Sequence, residues 1–171
     1  MKTREDYLKE HQEYEDRKQK EFYDKYPKLF PKRELNDWDK RKGYIEPTQE
    51  PLCGFSCDVG WFPLLDKLFS KLTQLIEESN LSEEYKLIPI DQCKQKFGGL
   101  RVYFGSVHEE LYDKAQALVD EAEQQSFNTC ERCGEPGKIR PGGWIEVRCD
   151  ACQKDHEEYR KKECEKYESK E

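Results

Sequence analysis

Residues 58–80, DVGWFPLLDKLFSKLTQLIEESN, carry the strongest helical pattern in the chain. Apolar side chains recur there at intervals of three and four residues, which places them on one face of an α-helix. Asp58 stands where a short polar side chain can cap the first turn. We therefore predict a core helix. Its apolar face consists of Leu65, Leu68, Phe69, Leu72 and Ile76.

A β-hairpin is predicted directly after this helix. Residues 86–105, KLIPIDQCKQKFGGLRVYFG, hold β-type residues on both sides of a Gly-Gly pair. Leu100, Val102 and Phe104 alternate with residues of the opposite face, and this period of two is typical of a half-buried strand. The two segments therefore form an antiparallel pair with one face towards the core.

A second amphipathic helix is predicted over residues 106–127, with an apolar face opposite a row of carboxylates. The order helix, hairpin, helix and cysteine module predicts an α+β fold, in which helices pack on one side of a small antiparallel sheet. We expect the two helices and the hairpin to share one core. Its predicted members are Leu65, Leu68, Phe69, Leu72, Leu100, Val102, Leu118 and Val119.

Charged residues concentrate at the two ends of the 171-residue chain. Composition therefore predicts a charged helical extension over residues 1–43, an α+β core over 44–128, a cysteine module over 129–152 and a charged tail over 153–171. The extension is interpreted as a solvated helix that a few aromatic residues dock, rather than as a dedicated binding arm. His11 within it is interpreted as a surface residue rather than a metal ligand.

Cysteine use and hydropathy both bear on the compartment. No stretch approaches the ~18 uncharged apolar residues of a membrane span, and the first ten residues lack the apolar centre of a signal peptide. A cytoplasmic location is therefore expected. In a reducing cytoplasm, the eight cysteines favour metal ligation or free thiols over disulfides.

Two Cys-x-x-Cys pairs enclose the segment CERCGEPGKIRPGGWIEVRCDAC, and 15 residues separate them. This spacing is typical of a zinc ribbon, because two tight turns each present two sulfurs to one tetrahedral ion. A thioredoxin-like redox pair and an iron–sulfur cluster fit the pattern less well. We predict one structural Zn²⁺ in a closed shell, with no position open for a water nucleophile. Its ligands are Cys130, Cys133, Cys149 and Cys152.

The other four cysteines are interpreted as buried or idle thiols. Three residues separate Cys53 from Cys57, and no second cysteine pair lies nearby in the sequence. Cys93 falls in a predicted strand, and Cys164 lies in the charged tail. A second metal site built from Cys53, Cys57, Cys93 and one further ligand is the less favoured alternative.

A catalytic constellation is not evident. The chain has three histidines, none in a context that suggests an activated nucleophile, and the KFGGLR segment lacks the pattern of a phosphate-binding loop. Two acidic clusters could bind a divalent ion as in a nuclease, but charged surface explains them more simply. We therefore expect a protein that is not an enzyme. The clusters are Asp37 with Asp39, and Glu109 with Glu110 and Asp113.

Net charge argues against nucleic acid as the main partner. The chain carries a formal charge of −7, and its presumed folded middle is the acidic part, whereas nucleic-acid binders present a basic face. One local basic-aromatic cluster is a candidate for binding a ligand or nucleic acid. The favoured alternative is that Phe97, Val102 and Phe104 lie in the core and the cations form a polar strand face. The candidate residues are Lys94, Lys96, Arg101 and Tyr103.

Four segments together resemble a family of small, mostly uncharacterised bacteriophage and prophage proteins. They are KYPKLF, CGFSCDVGWFPLLDKL, KQKFGGLRVYF and NTCERCGEPGKIR with the following GGW and CDAC, and they span roughly residues 25–152. The resemblance implies the modular layout and carries over the four zinc-ribbon cysteines. In that family one cysteine corresponds to Cys57 and a hydrophobic residue replaces Cys93, which disfavours a second cysteine site.

These observations predict a non-enzymatic, phage-type accessory protein with a structural zinc ribbon. We expect it to bind a host protein in the bacterial cytoplasm, so as to inhibit or redirect a host or defence system. A nucleic-acid-binding zinc-ribbon regulator is the alternative prediction, because ribbons often serve that role and a local patch can override net charge. A metal-dependent nuclease is the third.

Overall fold

The computed structural model describes residues 4–140 and 142–168. Helices and strands mix in this part of the chain, which confirms the α+β class. The fold also contains two short 3₁₀ turns, Val59–Trp61 and Glu83–Tyr85. The helices are α1 (Arg4–Lys25), α2 (Asp37–Arg41), α3 (Phe62–Glu78), α4 (Glu109–Ser126) and α5 (Asp150–Glu168). The strands are β1 (Gly54–Ser56), β2 (Ile90–Lys96), β3 (Gly99–Phe104), β4 (Lys138–Arg140) and β5 (Glu146–Arg148).

The main sheet has the order β1-β2-β3. Strands β2 and β3 form the predicted antiparallel hairpin, with Cys93 opposite Val102. Strand β1 pairs parallel to β2, and α3 provides the crossover that a parallel pair requires. This strand was not predicted, because three residues are too few to show a period of two.

The core forms where the predicted apolar faces meet. Residues of α3, β2, β3 and α4 share one buried cluster, and α3 and α4 pack against each other. Leu72 is fully buried, whereas Leu118 is only partly buried against the cluster. The predicted core is therefore confirmed, and most of its members are fully enclosed.

The end of α1 and the turn after it also belong to the core. Phe22, Tyr26, Leu29 and Phe30 are buried, and the Phe22 ring meets the Phe69 ring edge-on at 5.2 Å between centroids. The prediction that aromatic residues dock this helix is confirmed. The core therefore extends beyond residues 44–128 into the segment interpreted as an extension.

A partly buried ion pair fixes the loop that follows. The guanidinium of Arg33 donates to both carboxylate oxygens of Asp39, at 2.6 and 2.9 Å, and Asp39 is only 4% exposed. The same carboxylate accepts from the backbone of Asn36, whose side chain caps α2. Asp39 thus has a structural role in this loop. Both of its carboxylate oxygens already accept hydrogen bonds, which argues against Asp39 as a ligand of a catalytic metal ion.

Helix α4 packs along the edge strand β3. The backbone N–H of Leu100 donates to the Ser126 hydroxyl at 2.9 Å, and Arg101 forms an ion pair with Glu123. His108 caps the start of α4 through its Nδ1. No helix in residues 4–140 or 142–168 is both long and apolar enough to cross a membrane.

Candidate metal centre and the adjoining aromatic surface

The four cysteines of the two Cys-x-x-Cys pairs come together. The sulfur atoms of Cys130, Cys133, Cys149 and Cys152 all lie within 4.8 Å of one another, and those of Cys133 and Cys149 are 3.7 Å apart. A tetrahedral ion with metal–sulfur bonds of ~2.3 Å separates its ligands by ~3.8 Å. The four thiols therefore have the spacing needed to hold one metal ion.

Local backbone structure places each pair. In the first, the N–H of Gly134 donates to the Cys130 carbonyl at 2.8 Å, and Gly134 turns the chain away with a φ of +81°. In the second, Cys149 directly precedes α5 and Cys152 lies in its first turn. Strands β4 and β5 connect the two pairs as an antiparallel hairpin. The segment GGWIEVRC predicts a short strand before the second pair, and β5 confirms it.

The thiols differ in their readiness to ionise. The backbone N–H of Cys152 donates to the Cys149 sulfur at 3.4 Å and is the main reason that the pKa of Cys149 falls to about 7. Burial raises the pKa of the Cys133 and Cys152 thiols. Because the thiolate is the metal ligand, the lowered pKa of Cys149 favours the form that binds metal.

The first pair packs directly on the start of the core helix. A Cβ on Gly60 would stand 2.5 Å from the Cys130 carbonyl oxygen and 2.6 Å from the Cys133 nitrogen, and it would overlap the Glu131 carbonyl oxygen. Contacts below 3.0 Å require the backbone to shift, so only glycine fits. The α+β core and the cysteine module therefore meet without an intervening side chain.

The remaining cysteines lie apart from this centre. Cys93 is fully buried, whereas Cys53 and Cys164 are exposed. Burial raises the pKa of both Cys57 and Cys93, which keeps them as neutral thiols. In the part of the chain that the structure describes, Cys53, Cys57 and Cys93 belong to neither of the two close groups of potential metal ligands.

An exposed aromatic surface lies where the β2–β3 turn meets the cysteine module. We define it by Phe97, Trp144 and Ile145, of which Phe97 is 69% and Trp144 is 71% exposed. They line a cleft of ≈380 Å³ together with Gln95 and Lys96. The Gln95 side chain donates to the Ile145 carbonyl, so the two parts of the surface are connected.

The prediction that Phe97 lies in the core is wrong. Phe97 and Gly98 form the two-residue turn of the hairpin and both have positive φ, at 54° and 81°, as a turn that matches strand twist requires. That turn points the ring outward. Val102 is buried and Phe104 partly buried, as predicted.

The predicted basic-aromatic residues divide into two groups. The Lys94 ammonium lies 4.9 Å from the centre of the Tyr103 ring, and the Lys96 ammonium 5.5 Å from that of Phe97. Arg101 instead pairs with Glu123 of α4, so its charge is already neutralised. Two lysines and two aromatic rings therefore remain for an outside ligand.

Comparison with known proteins identifies no family or function for this chain. No protein family, curated protein or solved structure matches this chain. The resemblance to phage proteins accordingly stays a prediction.

Sequence reasoning missed both the surface role of Trp144 and the contact role of Gly60. Trp144 lies in the segment GGWIEVRC, which predicts a short strand before the second cysteine pair, but this pattern gives no direction for its ring. Gly60 interrupts the capped start of a helix, where glycine is unfavourable. A glycine at this unfavourable position was the indication in the sequence that another part of the backbone approaches closely.

Proposed function

We propose that the four-thiol centre binds one structural Zn²⁺. Four cysteine ligands at this spacing suit zinc, which favours tetrahedral sulfur coordination and has no redox chemistry of its own. The ion supplies a crosslink between the two pairs, and Gly60 and Trp61 transmit that constraint to the core helix. Because protein thiolates fill the shell, the site has a structural role rather than a catalytic one.

We further propose that the protein is a non-enzymatic binding protein whose partner is another protein. The observation that carries this proposal is the exposure of Phe97 and Trp144 around one cleft on a metal-held frame. Large aromatic side chains dominate the binding energy of protein interfaces. In the free protein these apolar side chains stay exposed to water, which is unfavourable. A bound partner would bury them and so gain binding free energy.

Chemistry at the aromatic surface favours a protein over a nucleic acid. Ile145 contributes aliphatic area, which has no flat face to stack on a base. Arg140 and Lys138 both pair with Asp150 and Arg148 pairs with Glu146, so these three cations of the cysteine module already have carboxylate partners. Ligation of zinc by four thiolates lowers the formal charge of −7 by a further two units, which repels phosphate and suits a basic protein.

The resemblance to phage proteins supports a host protein as the partner. In this proposal the chain acts in the bacterial cytoplasm as an accessory factor that inhibits or redirects a host or defence system. The alternative is a nucleic-acid-binding regulator, which is favoured by Lys94 over Tyr103 and Lys96 over Phe97. Lys96 and Phe97 belong both to the cleft and to the basic-aromatic cluster, so variants of the cleft bear on both activities.

An affinity capture from bacterial lysate, with and without nuclease, tests the proposal. The variant Phe97→Asn with Trp144→Ala removes both rings, and asparagine tolerates the positive φ of the turn. We expect the wild-type chain to retain a protein after nuclease treatment and the double variant to lose it. The matched control, Trp38→Ala with Tyr112→Ala, removes two exposed rings elsewhere and should retain it.

Direct binding to purified DNA and RNA at moderate salt provides the opposing result. Salt-sensitive binding at micromolar concentration or tighter, with no protein retained from lysate, would establish the nucleic-acid alternative. Retention by the double variant equal to that of wild type would show that the aromatic surface is not the interface.

A further inference from the structure

A second group of metal-type ligands lies between α1 and the 3₁₀ turn that precedes the core helix. We call it the histidine–carboxylate cluster and define it as His11, Glu15 and Asp58. The Nδ1 of His11 is 3.5 Å from a Glu15 carboxylate oxygen, and its Nε2 is 3.5 Å from a carboxylate oxygen of Asp58. One donor atom from each residue falls within a 4.8 Å group.

Two elements bring the cluster together. His11 and Glu15 are one helical turn apart on α1, so their side chains project from the same face. Asp58 belongs to the core side, where its carboxylate caps the 3₁₀ turn by accepting from the Val59 N–H at 2.8 Å. That bond fixes the orientation of Asp58 and leaves carboxylate lone pairs free for another partner.

The cluster combines partial burial with access from solvent. The side chain of Glu15 is 19% exposed, that of Asp58 32% and that of His11 37%. The Glu131 carboxylate also approaches, since it accepts from the Asp58 backbone N–H at 3.3 Å. With a neutral imidazole, the carboxylates of Glu15 and Asp58 lie close together, and a positive ion between them would relieve their repulsion.

We infer that His11, Glu15 and Asp58 form a binding site for a divalent transition-metal ion, separate from the four-thiol centre. One imidazole nitrogen with two carboxylates is a donor set that zinc and manganese accept, whereas Mg²⁺ and Ca²⁺ prefer oxygen ligands alone. Metal bonds of ~2.0–2.2 Å place neighbouring donors ~3–3.5 Å apart. The His11–Asp58 distance already meets this spacing, and rotation of the Glu15 side chain completes it.

The consequence for the molecule is a metal crosslink between α1 and the core. Phe22 and Tyr26 already dock the last turns of α1, while His11 and Glu15 lie two to four turns earlier, where the helix is more exposed. A metal bound to both sides would fix that earlier part against residue 58. Three protein ligands also leave coordination positions for water, unlike the closed thiolate shell.

The test uses the full chain with zinc already bound at the cysteines, dialysed against Co²⁺. We expect one zinc and one cobalt ion per chain by elemental analysis. The cobalt spectrum should show weak visible bands typical of nitrogen and oxygen ligands. Strong sulfur-to-cobalt bands would instead mean exchange into the thiol centre and would count against the second site.

Conservative variants identify the ligands. His11→Ala, Glu15→Gln and Asp58→Asn should each abolish cobalt binding while the zinc content stays constant, and asparagine keeps the cap on Val59. His156→Ala, which removes a histidine of α5 outside the cluster, should bind cobalt as wild type does. Circular dichroism of each variant verifies that α1 and the core are folded.

The inference is overturned if the wild-type chain binds no metal beyond the thiol centre, in which case His11 serves only as an ion-pair partner for two carboxylates. It is equally overturned if His11→Ala still takes up cobalt. Neither result bears on the aromatic surface, so this inference and the proposed binding function stand or fall separately.

Discussion

The indole N–H of Trp61 donates to the carbonyl oxygen of Thr129 at 2.8 Å. Trp61 is fully buried and immediately precedes the core helix, while Thr129 immediately precedes Cys130, the first cysteine of the four-thiol cluster. A buried tryptophan needs a partner for its single donor, and this one finds it in the cysteine module. The core and the metal centre are therefore coupled by a specific hydrogen bond as well as by contact.

Replacing Trp61 with phenylalanine tests that coupling. Phenylalanine keeps an aromatic ring but removes the indole N–H and the five-membered ring, so the partly buried Thr129 carbonyl loses its partner and a small cavity is left, at a combined cost of about 2–4 kcal/mol. We expect the free energy of unfolding of the zinc-bound protein in urea to fall by that amount. Trp38→Phe, at an exposed indole, should change it by less than about 0.5 kcal/mol.

Gly60→Ala should disturb the core and the metal centre together. The added methyl group meets backbone atoms of residues 130, 131 and 133, and overpacking of this kind costs about 1–3 kcal/mol. We expect lower thermal stability and weaker zinc retention against a competing chelator. Gly143→Ala is the control, because a Cβ there meets nothing within 4 Å. Equal zinc retention by the two variants would contradict the contact.

Removal of the metal should loosen more than the cysteine module. Without the ion, the two pairs lose the crosslink between them, and the support behind Gly60 and Trp61 weakens. We expect faster amide exchange in β4, β5 and the first turn of α3 after chelation, with little change at β2. A thermal transition left unchanged by combined Cys133→Ser and Cys149→Ser would exclude a structural metal.

Local patterns predicted those parts of the structure that depend on short-range periodicity. The apolar face of α3, the alternation in β3 and the Cys-x-x-Cys pairs each report a geometry that a few neighbouring residues determine. The four-thiol cluster was found for the same reason, since the chain needs only one hairpin to bring the pairs together.

What sequence reasoning missed depends on contacts between distant residues. Strand β1 exists because Phe55 pairs with Cys93, and its own three residues show no pattern. The histidine–carboxylate cluster joins His11 to Asp58 across the docked helix α1, so neither residue suggested a site by itself. The outward ring of Phe97 follows from the positive φ of its turn, which residue type alone disfavours.

Leu72→Ala measures how well the core is packed. Leu72 is fully buried in the shared cluster, so truncation removes apolar burial and leaves a cavity, at a cost of about 2–5 kcal/mol. Urea unfolding checks this value. Leu52→Ala, at an exposed leucine, should cost far less. A loss below about 0.5 kcal/mol at Leu72 would show that the α3 face is not buried.

The Arg33–Asp39 ion pair predicts how stability depends on acid. Hydrogen bonds from Arg33, and then from the Asn36 backbone, lower the pKa of Asp39 to about 2. The folded protein therefore binds a proton at Asp39 less readily than the unfolded chain, whose aspartates titrate near ~3.9. The stabilisation is present above that value and is lost as the pH falls from about 4 to about 2.

Asp39→Asn removes the ionisable group but retains a side chain of similar size, so it isolates this effect. We expect the variant to be less stable than wild type at pH 7, because Arg33 loses its charged partner. Its stability should also fall less steeply between about pH 4 and pH 2. Asp37→Asn is the matched control, since the Asp37 side chain is 90% exposed, and it should follow the wild-type profile. Parallel acid profiles for Asp39→Asn and wild type, measured by urea unfolding at each pH, would show that Asp39 titrates in the folded protein as it does in the unfolded chain.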